Sequence, residues 1–130
     1  MTMKKGSLSE LVTYLDELIR MTNDSEMDWV KVNPTTYTWE AGSPPTARIS
    51  LQQVERRVIN RAAGRSVPEM RRDYVFAVTD LGTGSLQLQV SSADEPDIRD
   101  KLKLLYVAAS TGIPKKGLDF LKSLLPRKPQ

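Results

Sequence analysis

Residues 73–92 read DYVFAVTDLGTGSLQLQVSS, from Asp73 to Ser92. Tyr74-Val75-Phe76-Ala77-Val78 is apolar at every position, which suits a strand in the middle of a sheet. Leu86, Leu88 and Val90 alternate with Gln87, Gln89 and Ser91, the period of a strand with one face in water. Between them, Asp80-Leu81-Gly82-Thr83-Gly84 offers glycines for the positive φ angles of a hairpin loop. The stretch is read as the central hairpin of an antiparallel sheet, and the rest of the chain as elements added to it.

Upstream, Met27–Asn33 and Thr36–Ala41 read as a second hairpin, with Asn33-Pro34 opening its turn. Tyr37, Trp39 and Ala41 fall on one face, and Trp29 and Trp39 are expected to help build the core. A further strand starts near Ala47, with Ala47, Ile49 and Leu51 turned inward and Arg48, Ser50 and Gln52 outward. From Gln53 the period is ambiguous. Val54 and Val58 fit a strand restarted after a bulge, whereas Leu51, Val54, Val58 and Ala62 fit a helix. The reading favoured is a long edge strand followed by a loop through Ala62–Arg72, because Gly64 and Pro68 interrupt regular structure.

Helices flank the strands. Ser7-Leu8-Ser9-Glu10 has the form of a capping box. Leu8, Leu11, Val12, Leu15, Leu18 and Ile19 then make one apolar stripe, ended by Asn23-Asp24-Ser25. Ser92-Ala93-Asp94-Glu95, followed by Pro96, repeats the capping signature. It precedes a stripe of Ile98, Leu102, Leu105, Tyr106 and Ala109, with Gly112 as the stop. Pro114 starts a last short helix in which Leu118, Leu121 and Leu125 line up. The predicted fold is α+β: an N-terminal helix, a five-stranded antiparallel β-meander, and two C-terminal helices packed on the sheet. The single domain is expected to cover residues 7–125, with a disordered N-terminus at 1–6 and a disordered basic tail at 126–130.

Composition removes several chemistries. The 130 residues include no cysteine and no histidine. Disulfides, thiolate nucleophiles, Cys-type zinc sites, histidine triads and histidine metal sites are therefore excluded. The lack of cysteine suits a reducing cytoplasm, and no apolar run is long enough to span a bilayer. Arginine in preference to lysine along the middle of the chain fits a bacterial source. Lysine, tyrosine and carboxylate chemistry remains open by composition, but no catalytic motif, metal site or cofactor motif is found.

Two acidic groupings invite a metal reading: Asp16 with Glu17, and Asp94 with Glu95 and Asp97. Neither has calcium-loop spacing, and the second sits where a helix N-terminus favours negative charge. The string Asp80-Leu81-Gly82-Thr83-Gly84-Ser85 resembles the first phosphate-binding turn of the actin, sugar-kinase and Hsp70 superfamily. In that family the glycines admit phosphate and the aspartate serves metal–phosphate chemistry. The resemblance covers six residues and lacks the family's further phosphate and adenosine motifs, so the string is read as a hairpin loop.

The strongest compositional signal is arginine. Arg48, Arg56, Arg57, Arg61, Arg65, Arg71 and Arg72 fall within residues 48–72, where the only acids are Glu55 and Glu69. The formal net charge of the whole chain is +3, so this segment more than accounts for it. Arginine suits bidentate contacts to phosphate or carboxylate, and a charged edge also blocks unwanted strand pairing. The expected function is a non-catalytic cytoplasmic binding protein. It would act through Arg56, Arg57, Arg61, Arg65, Arg71 and Arg72 on an acidic macromolecule, an acidic protein first. The alternatives are direct binding of nucleic acid, and capture of a small anion such as a nucleotide in the cleft of a homodimer.

Overall fold

Five strands, β1 (Val30–Asn33), β2 (Thr36–Ala41), β3 (Ala47–Ala62), β4 (Arg65–Asp80) and β5 (Ser85–Ser91), form one antiparallel sheet in chain order. Helix α1 (Lys5–Asn23) precedes them, and a 3-10 turn (Pro96–Ile98), α2 (Arg99–Thr111) and α3 (Lys115–Leu124) follow. The computed structural model describes residues 5–42, 44–62, 64–112 and 115–125, with the backbone alone at Lys5, Asn60, Ala62, Arg65, Lys115 and Lys116. The α+β class, the meander order and the flanking helices are those the hydrophobic periods predict.

Helices cover one face of the sheet. Ile98, Leu102 and Leu105 on the α2 side meet Tyr37, Leu51, Tyr74, Phe76 and Val90 from the strands, and Leu11 and Leu15 of α1 complete the core. α2 lies on the sheet and α1 lies on α2. Lys101 of α2 also bonds to Asp16 of α1 at 2.7 Å. Each fully buried leucine here contributes about 1.5–3 kcal/mol, and Leu15, Leu51, Leu102 and Leu105 are all in that state. Tyr106 of α2 stands 5.5 Å from the rings of both Tyr37 and Tyr74. Burial, and then its two tyrosine neighbours, push its hydroxyl above the ordinary tyrosine range. Trp29 is buried beside the end of α1, where its Nε1 donates to Thr22 Oγ1 at 3.0 Å.

Several local expectations are corrected. The loop anticipated through Ala62–Arg72 is strand: β3 pairs with β4 without a break from Ala47↔Asp80 to Ala62↔Arg65. Gly64, with φ +73°, takes a left-handed position at the hairpin tip. Pro68 is tolerated because β4 has no outer neighbour there, and an amide missing from a free edge removes no ladder bond. Leu86 leaves the alternation of β5, because a bulge between Val78 and Thr79 sets it opposite Thr79 and exposes it. α1 starts at Lys5, ahead of the Ser7 box, so Lys5 and Gly6 of the start expected to be disordered are helical. Met1–Lys4 and the tail at 126–130 lie outside the described residues, as does Pro114. β1 begins at Val30 rather than Met27. The leucines expected to stripe the last helix face solvent: Leu118 and Leu121 in α3, and Leu125 one residue past its end.

Candidate functional site

The arginine-rich segment is a two-stranded arm. β2 pairs with β3 only as far as Gln52, and β5 pairs with β4 only as far as Val75. Beyond them, β3 and β4 continue as a two-stranded ribbon from Gln53↔Tyr74 to Ala62↔Arg65; its first two rungs are packed at the root, where Tyr74 and Asp73 are buried, and the eight from Glu55↔Arg72 onward form the free arm. At about 3.3–3.4 Å per residue the free arm is on the order of 26 Å long. Past the Gln53 amide, which bonds to the Thr35 carbonyl at 2.9 Å, both edges lack a strand partner among the described residues.

Register assigns each arm residue to a face, because directly opposed residues of an antiparallel pair share one. Glu55, Arg57, Ile59 and Arg61 with Arg72, Met70, Pro68 and Ser66 extend the face that bears Leu51 and Phe76. Val54, Arg56 and Val58 with Asp73, Arg71 and Glu69 extend the other.

The six arginines singled out from sequence divide into two kinds. Arg56 is structural: its Nε donates to Asp73 Oδ2 at 2.9 Å. Arg57, Arg61 and Arg71 are exposed and make no ion pair among the described residues. Arg72 approaches Glu55 across its rung only to 3.9 Å, and both side chains are largely in water, so the pair adds little. Arg65 opens β4, and its side chain lies outside the described residues. Arg48 stands on the sheet rather than the arm and is held by Glu40 at 2.6 Å.

Asp73, at the root of the arm, is a centre that sequence reading missed. Its carboxylate is wholly buried. Oδ1 accepts from Arg99 Nη2 at 2.7 Å and from Ser92 Oγ at 2.9 Å, while Oδ2 accepts from Arg56. Burial pushes the carboxyl up, but the hydrogen bonds from Arg56, Arg99 and Ser92, with the Arg99 charge, together hold it below the ordinary aspartate range. Ser92 Oγ also accepts the Tyr74 amide at 2.9 Å. It therefore does not cap the following helix, whose N-cap, Glu95, makes no side-chain capping bond. The cost of the cluster is one buried donor, Arg99 Nε, left without a partner among the described residues.

The remaining candidates are occupied locally. Asp80 Oδ1 accepts the Gly82 amide at 2.8 Å and Asp80 O accepts the Gly84 amide at 2.7 Å, so the phosphate-turn look-alike closes its own hairpin. Asp16 is bonded to Lys101, and Glu17 to Arg20 at 2.6 Å. Arg20, beside the Glu17 carboxylate, holds that group below the usual range. Among the described residues no group of three metal-ligating side chains comes together. A shallow depression at the β1 edge has Asp28, Glu40 and Arg48 in its lining; two carboxylates against one guanidinium do not favour an anion.

No helix among the described residues is long and apolar enough to cross a membrane. Compared with known proteins, the chain matches no family model, no curated sequence and no solved structure.

Proposed function

We propose that this chain is a non-catalytic binding protein that holds an acidic macromolecule with the β3–β4 arm. The observation that carries the reading is a projecting ribbon on which Arg57, Arg61 and Arg71 are exposed without an ion pair among the described residues, and Arg72 is only loosely held. Side chains held by carboxylates within the fold, as Arg48 and Arg56 are, serve its architecture. Guanidinium groups left without such a partner on an arm are placed to take carboxylates or phosphates from another molecule. The binding residues are Arg57, Arg61, Arg71 and Arg72; Arg56 secures the root. A chain without cysteine is suited to work in the cytoplasm.

The test is retention on immobilised polyanions, heparin and polyglutamate. R57E/R61E/R71E should pass through unretained. K31E/K103E/K122E, the same change in net charge placed off the arm on exposed lysines, should keep most of the retention. Equal losses in the two variants would mean that net charge, not the arm, is responsible.

A further inference from the structure

We infer that the acidic macromolecule is B-form duplex DNA, and that the arm lies lengthwise in its major groove. This inference depends on the reading of the arm as a binding element and adds the identity of its partner.

Dimensions come first. A two-stranded ribbon fits a major groove about 12 Å wide as it stands, whereas a minor groove of about 6 Å takes one only when the duplex is deformed to open it. Its eight free rungs reach on the order of 26 Å, about three quarters of a helical turn of about 34 Å. Charge follows the same geometry. Arg57, Arg61 and Arg72 occupy one face, while Arg71 occupies the other. A ribbon lying in a groove has phosphates along both walls, whereas a flat acidic protein surface meets one face only.

Between the arginines of the core-side face stand Ile59 and Met70, 57% and 59% exposed, together with Pro68. Exposed apolar side chains among cations suit the base edges of a groove floor, where thymine methyl groups give apolar contact. From the Arg57↔Met70 rung to Arg61↔Ser66 that face carries no acid.

The arm also argues against other nucleic acids. Its one aromatic residue is Tyr74 at the root, buried in the core, so unstacked bases find no platform. The major groove of A-form RNA is too deep and narrow for side chains to read.

The experiment is fluorescence anisotropy of the full chain with a mixed-sequence DNA duplex of about two helical turns. Its single strand, the matching RNA duplex and polyglutamate serve as comparisons. The duplex DNA should bind at least about tenfold more tightly than each of the others, the preference expected of a groove-fitted ribbon. With Arg57, Arg61, Arg71 and Arg72 each neutralising one phosphate, affinity should fall about 150-fold for a fourfold rise in salt. R57Q/R61Q/R71Q, checked for an unchanged melting temperature, should reduce that fall to about threefold to fourfold. Equal affinity for polyglutamate or single strands, still dependent on the arginines, would overturn the duplex assignment and leave the arm as a polyanion site. Polyanion binding that keeps its full affinity and salt dependence in the triple variant would overturn both.

Discussion

Arg99 Nη2 lies 2.7 Å from Asp73 Oδ1, joining the first residue of α2 to the strand position at which the arm leaves the sheet. Arg56, two residues farther along the ribbon than the Asp73 partner Val54, takes the other carboxylate oxygen. One buried anion thus ties helix, sheet and arm together. Removing it strands two guanidinium groups, and losing one member of a buried charge cluster costs about 3–5 kcal/mol. D73A should lower the unfolding free energy from urea titration by an amount in that range, and D73N, which keeps volume and an acceptor, by less. A D73A midpoint equal to that of the parent chain would show that the cluster contributes nothing to stability.

The same carboxylate fixes a pH dependence. Its folded pKa is depressed, so its stabilisation is fully present above the unfolded aspartate value of about 3.9. It is lost as pH falls from there through the lower folded value. Urea midpoints followed downward from neutral pH should drop across that acid window, and D73N should show a shallower drop. An identical acid limb in D73N would assign the acid sensitivity to other carboxylates.

Much of this fold was legible because its signals are local. The α1 stripe from Leu8 to Ile19, the Tyr74–Val78 run and the Ile49/Leu51 alternation each bury a face, so their periods record real packing. The arm has no core to impose a period. Val54, Val58, Ile59 and Val67 follow no single buried face, and local rules see only the breakers Gly64 and Pro68. Both are accommodated by facts absent from local sequence, a hairpin tip and a free edge. Ser92 misled for a related reason. Its capping signature lies within four residues, but its oxygen is taken by the Tyr74 amide and its proton by the buried Asp73, at sequence separations of 18 and 19. The arginine cluster was visible by composition; which members are spent on the fold was not.

Gly112 and Gly117 should respond oppositely to alanine. A Cβ at Gly112 would sit 2.7 Å from the Ala108 carbonyl oxygen, although its φ of −66° and ψ of 146° suit any residue. The penalty is a contact rather than backbone strain, and overpacking of this kind costs about 1–3 kcal/mol. Gly117, within α3, has nothing within 4 Å of its would-be Cβ. G117A should add helix stability of about 0.5–1 kcal/mol. Thermal melts of G112A should shift down, while helicity of G117A by far-UV circular dichroism should rise. A G112A melt unchanged from the parent would mean that the end of α2 yields without cost.

Arg56 and Arg57 are sequence neighbours that should separate cleanly in mutagenesis. Arg56 donates to a buried carboxylate, and losing a hydrogen bond to a charged group costs about 1.5–3 kcal/mol. Arg57 is exposed on the opposite face, without an ion pair among the described residues, so its loss should stay within about 0.5 kcal/mol. R56Q should therefore lower the urea midpoint, whereas R57Q should leave it in place and weaken polyanion retention. The arm itself supplies the control. Glu55 lies beside Arg57 on the core-side face and only loosely approaches Arg72, so E55Q should strengthen retention without a stability change. If R57Q destabilised the chain as much as R56Q, Arg57 would belong to the architecture and the binding set would shrink to Arg61, Arg71 and Arg72.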